Sequence, residues 1–193
     1  ISGGSAGIQI ITGGAGNDTI AVDDDGADSA QDEVNFGATA SANGVDAVSG
    51  LFAGTGGDIL DFRAWFAGIA AGVLTDNGNQ DEGGENAAIA SLIAGTAEGT
   101  GTALDGHVFF VDDAVKTTAE MKTLIVTADA ASKLSLANNA KAVMIHGEFE
   151  ENDADPLDVY YVVGGATNDP TMTKVGTVDF QDAGHLNTDN IIG

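Results

Sequence analysis

The chain has 193 residues, with 30 acidic side chains against 6 basic ones, a formal net charge of -24 and no cysteine. That balance excludes nucleic acid as a partner, because phosphate binding runs on Lys and Arg, and it excludes attraction to anionic membrane surfaces. Disulfide stapling is closed off, and 43% hydrophobic residues exclude simple disorder, which leaves a folded acidic domain long enough to bury a sizeable core.

Self-repulsion among so many carboxylates destabilises a compact state unless ions neutralise them, so divalent cations or a salty milieu are expected. Nothing at the start of the chain has the basic and apolar regions of a signal peptide. No stretch approaches the ~18 apolar residues of a membrane span. The chain starts at Ile1 rather than Met and reads as the tail of a longer polypeptide or a processed product.

In chain order, residues 1–22 are glycine turns punctuated by apolar positions (Ile8, Ile10, Ile11, then Ile20, Val22), which suits two rungs of a parallel β-roll. Within them, Gly13-Gly14-Ala15-Gly16-Asn17-Asp18-Thr19-Ile20 fits the calcium-binding nonapeptide pattern G-G-x-G-x-D-x-U. The glycines permit positive φ, Asp18 supplies a hard carboxylate oxygen, and Ile20 points into a core. Calcium takes six to eight oxygens, some of them backbone carbonyls, so one such turn supplies part of a shell. Asp23-Asp24-Asp25-Gly26-Ala27-Asp28 follows as an acidic loop, equally consistent with a solvated face.

Short strands are expected around 34–36 and 45–48 and at Ile59-Leu60-Asp61-Phe62, the last preceded by a degenerate Gly56-Gly57-Asp58. Trp65 and Phe66 read as core, since 6% aromatics is too sparse for a stacking platform. A polar acidic loop spans 76–85 and a short helix is expected over 86–93. Val108-Phe109-Phe110-Val111 suits a buried strand, and Met121, Leu124 and Ile125 lie at helical spacing within 118–127. Residues 142–145 and 158–163 read as central strands joined by the acidic loop 148–155, and 174–180 as a third. Neither acidic loop has the spacing of an EF-hand.

Catalytic patterns are weak. Gly3-Gly4-Ser5-Ala6-Gly7 matches G-x-S-x-G in letters only, lacking the preceding strand and following helix of a nucleophile elbow. His107, His146 and His185 stand apart, without the spacing of a zinc site or a triad. No enzyme is expected.

The glycine turn, its decayed copies at residues 1–8 and 54–62, and the cysteine-free acidic composition resemble the RTX family of calcium-binding exoproteins, which Gram-negative bacteria export by the type I route. Leu186, Thr188, Asp189, Asn190, Ile191 and Ile192, in a tail without Lys or Arg, are similar to the terminal export cadence of that family. The resemblance implies Ca2+ as the bound ion, held by Gly14 and Gly16 carbonyls with Asp18, and by Asp23, Asp25, Asp58 and Asp61. It implies a mainly β fold with a few short helices: a degenerate β-roll-like calcium-binding segment over 1–62, then a β-rich domain over 63–193 ending in a secretion signal. The chain looks most like surface-layer or extracellular filament members. The implied function is a calcium-stabilised, self-assembling structural domain, secreted and at the cell surface. Implied partners are copies of itself, the type I secretion machinery during export, and a cell-surface polysaccharide. The alternative is the non-catalytic tail of an exported hydrolase or adhesin.

Overall fold

A computed structural model describes residues 1, 7–22, 31–54, 56–67, 72–73, 102–103, 106–112, 117–126, 134–147, 155–166, 169–181 and 190–192. The expected helix over 86–93, the acidic loop 76–85, most of 148–155 and the tail residues 182–189 lie outside them.

The protein is mainly β. Its first part coils between two sheets. β1 (Ile10–Thr12), β3 (Glu33–Asn35) and β5 (Ile59–Asp61) stack in parallel in one sheet, while β2 (Thr19–Ala21) and β4 (Asp46–Leu51) stack in parallel in the other. The rungs repeat every 23 to 28 residues, as their matching backbone positions show. Single-residue alternation makes this work, because one side chain of each three-residue strand points inward. Ile11, Val34 and Leu60 form one buried row and Ile20 and Val48 the facing row. Phe36 and Phe62, each just past its strand, stack with ring centroids 4.7 Å apart.

The chain then leaves the coil and returns. β13 (Thr171–Phe180) pairs in parallel with β4, and β14 (Ile191–Ile192) pairs in parallel with β5. Val178 and Ile191 extend the two inward rows by a further rung. Both sheets therefore run on from the first 62 residues into the last strands of the chain.

Between departure and return lie β6 (Gly72–Val73), β7 (Thr102–Ala103), β8 (His107–Asp112), β9 (Ile125–Val126), β10 (Leu134–Ser135), β11 (Lys141–Gly147) and β12 (Leu157–Val163). Among the described residues β6, β8, β11 and β12 widen the second sheet to seven strands in the order β2-β4-β13-β12-β11-β8-β6, in which β11–β12 and β12–β13 are antiparallel and the other pairs parallel, while β7, β9 and β10 form a small sheet of their own. β11 and β12 are buried on both faces, which explains why they read as unbroken apolar runs. One face joins the coil core through Val143, Ile145, Val159 and Tyr161. The other packs Met144, Tyr160 and Val162 with Phe109, Met121, Ile125 and Leu136. Met121 belongs to helix α2 (Thr118–Leu124), which ends sooner than the spacing of 118–127 implies because Ile125 and Val126 join the small parallel sheet β7-β10-β9.

Trp65 and Phe66 are buried, Trp65 stacking on Tyr161 at 4.0 Å between centroids and donating its indole N–H to the Ala142 carbonyl. Helix α1 (Ala40–Asn43) is one turn, capped by the Thr39 hydroxyl, which accepts from Ala42 N–H. No helix among the described residues is long and apolar enough to cross a membrane.

Candidate functional site

The turn from β1 to β2 is the G-G-x-G-x-D segment. Gly14 and Gly16 have φ of +88° and +114°, and a side chain at either would meet nothing within 4 Å. Backbone handedness, not crowding, therefore demands glycine at both. Asp18 ends the turn directly beside Asp46, its counterpart one rung on: the Asp18 N–H donates to Asp46 Oδ1 at 3.0 Å. The second oxygens of the two carboxylates converge. A Cβ at Gly13 would lie 2.7 Å from Asp46 Oδ2 and 3.3 Å from Asp18 Oδ2. Gly13 thus opens a cradle that two carboxylates face.

Asp46 is only 4% exposed. Burial, and behind it the nearby Asp18 charge, raise its pKa above the ordinary carboxylate value. Asp46 is absent from the sequence-based ligand set. Its signal was present: Gly44-Val45-Asp46-Ala47-Val48 repeats the G-x-D-x-U half of the first turn, with Val45 N–H donating to the Asn17 side chain at 3.0 Å.

Asp58 stands elsewhere, on the opposite side of the coil, where chain passes from the second sheet back to the first. Its Oδ1 accepts from Asp32 N–H at 2.9 Å and its Oδ2 from Phe52 N–H at 2.8 Å. Asp32 in turn accepts from Gln9 N–H at 2.7 Å. Asn190 continues the row, accepting from Gly54 N–H and donating to the Asp58 carbonyl, both at 2.9 Å. This ladder of side chains closes the rungs onto one another. Burial raises the pKa of Asp58, the two backbone donors oppose the rise, and the Asp32 charge adds to it.

Asp61 points away from the core on the outer face of the first sheet, where Arg63 holds it through its Nε at 2.8 Å and its backbone N–H at 2.7 Å. Arg63 also bridges to Glu33 at 3.0 Å. Burial alone would raise the Asp61 pKa, but the Arg63 hydrogen bonds and charge outweigh it and hold the carboxyl below its ordinary value. The structure therefore brings Asp18 together with Asp46 at the end of the turn that contains Gly14 and Gly16, it places the Gly16 carbonyl against Gly44 instead, and it does not bring Asp58 or Asp61 to them. Asp23 and Asp25 lie outside the described residues.

Comparison with protein-family models, curated proteins and solved structures finds no match.

The donors that face the Gly13 cradle are oxygens of two carboxylates, the chemistry of a hard cation, while the Gly16 carbonyl lies against Gly44 of the next rung. No group of three or more His, Asp or Glu side chains is set to hold a metal ion among the described residues. An ion there would draw the rest of its shell from peptide carbonyls and water.

Proposed function

We propose that this is a calcium-stabilised structural domain of a secreted bacterial surface or extracellular filament protein, self-assembling and without catalytic activity. The observation that carries the reading is the pair of carboxylate oxygens, Asp18 Oδ2 and Asp46 Oδ2, both turned to the Gly13 cradle in a parallel coil. Two carboxylates facing one point repel, and one of them is buried, so the folded coil is costly until a cation sits between them. Asp18 and Asp46 would hold that ion with peptide carbonyls and water completing its shell, and binding free energy then becomes folding free energy. In a calcium-poor cytoplasm the -24 chain stays loosely folded and fit for export; millimolar calcium outside completes the fold.

The test is a thermal melt followed by circular dichroism, first in excess EDTA and then across a calcium titration, with Asp46→Asn alongside. At roughly a hundred times its dissociation constant, calcium stabilises by about 2.7 kcal/mol, or about 5–10 °C in a chain of this size. The variant is expected to lose most of that increment. Equal melts with and without calcium would overturn the metal-dependent reading.

A further inference from the structure

Asn43 and Gly44 form one of two Asn-Gly pairs in the sequence, the other being Asn77-Gly78. Asparagine is a chemically labile residue, and most so before glycine, which has no Cβ to keep its amide nitrogen away from the preceding side chain. In deamidation the Gly44 nitrogen attacks Asn43 Cγ. A new C–N bond forms there, and the carboxamide nitrogen leaves as ammonia, taking the electron pair of the broken bond and the amide proton. Water then opens the cyclic imide. Cleavage at Cγ gives aspartate; cleavage at the main-chain carbonyl gives isoaspartate, with the backbone rerouted through the side chain.

The fold needs both residues. Gly44 has positive φ, and the Gly16 backbone stands where its Cβ would go. Asn43 is buried and spends both ends of its amide: Oδ1 accepts from Gly37 N–H and Nδ2 donates to the Val175 carbonyl, each at 2.8 Å. The first bond closes the loop into α1, and the second ties α1 to β13. A carboxamide supplies acceptor and donor at once. Aspartate in its place sets a buried carboxylate against the Val175 carbonyl, and that carbonyl loses its donor. Isoaspartate lengthens the chain where Gly44 is wedged against Gly16.

The same contacts close the reaction. Both ends of the Asn43 amide are held, and the Gly44 N–H is directed to the Ala40 carbonyl at 2.8 Å, so the nitrogen is not presented to Cγ. The Val175 bond exists only after β13 has returned. We infer that Asn43-Gly44 is a deamidation site, open in the unfolded chain and closed by the fold. A chain that lingers unfolded is then altered at a side chain that locks β13 to α1. Water is the co-reactant, and the alteration adds a negative charge while removing the donor to Val175.

The test ages the full 193-residue chain at mildly alkaline pH, folded in calcium buffer and unfolded in urea. Conversion at residue 43 is followed by peptide mass spectrometry, with isoaspartyl methyltransferase as a second readout, and Asn77 calibrates the chemistry in urea. Calcium is present in the folded arm and urea defines the unfolded one, so the result does not depend on the proposed metal. In urea the two asparagines are expected to convert at similar rates. In the folded chain Asn43 is expected to convert about a hundredfold more slowly, since it reacts only through opening of the native structure. Equal rates for Asn43 in the two arms, or an Asn43 that stays intact in urea, would overturn the site. Asn43→Asp supplies the aspartate product directly, and its melt is expected to be lowered or lost. A variant that melts with the unaltered chain would overturn the lock on β13 and leave the closure by the fold standing.

Discussion

Gly44 and Gly14 occupy related turns and both have positive φ, +82° and +88°, yet they answer to different constraints. A Cβ on Gly44 would lie 1.6 Å from the Gly16 carbonyl oxygen, because successive rungs touch backbone to backbone there. A Cβ on Gly14 would reach nothing within 4 Å. Alanine at Gly14 therefore pays only for its backbone conformation, about 1–2 kcal/mol. Alanine at Gly44 must also push two rungs apart, and a loss of about 4 kcal/mol or more is expected, in the range of severe core disruption. Urea denaturation of the two variants distinguishes the cases. Equal losses would mean that the rungs do not approach as closely as the Gly16–Gly44 contact requires.

At the level of elements, the coil is held by inward apolar rows and by the side-chain ladder. Three-residue strands are too short to rely on their own pairing, so the backbone N–H groups between them need partners, and Asp32, Asp46, Asp58 and Asn190 supply these. Asp58→Ala leaves the Asp32 and Phe52 N–H groups without their acceptor, and an unsatisfied buried group costs about 1–3 kcal/mol. A loss of about 2–5 kcal/mol is expected for alanine. Asparagine, which can accept at one of the two positions, loses roughly half as much. Denaturant midpoints that leave alanine and asparagine equal would contradict a ladder role. The rungs themselves were legible in sequence, since Ile11, Ile20, Val34, Val48 and Leu60 each follow a glycine or acidic turn, while β8, β11 and β12 announced themselves as apolar runs and β13 as an alternation over 174–180. Two things were not. The return of β13 and β14 to β4 and β5 joins residues more than 120 positions apart, as the Asn43–Val175 and Gly54–Asn190 hydrogen bonds illustrate, and no local pattern encodes such a pairing. Asp46 escaped because its segment carries a single glycine and no acidic run, whereas stacking lets one rung supply the turn and the next rung its second carboxylate.

For the whole molecule, acidity and burial act together on stability. Asp46, Asp58 and Asp179 all have raised pKa values, with desolvation by burial the leading cause in each. In the folded chain they take up protons at a higher pH than in the unfolded chain, where the value is about 3.9. Folded protein therefore binds more protons between those limits, and stability must rise as pH falls from neutral through the folded values. Release of general repulsion in a -24 chain has the same sign. Asp61 works in the opposite sense: its lowered pKa stabilises the fold above about pH 3.9, and that contribution is lost as pH falls through its folded value. In EDTA, the melting temperature is expected to climb from pH 7 to about pH 5 and to drop below about pH 4. A steady fall from pH 7 downward would refute the account. Calcium adds a further condition. A proton and a calcium ion compete for the same buried carboxylate at Asp46, so the calcium-induced rise in melting temperature should be largest at pH 7 and shrink towards pH 5. Calcium and acid are then alternative ways of discharging the same repulsion, and a calcium increment unchanged between those two pH values would place the ion away from Asp46.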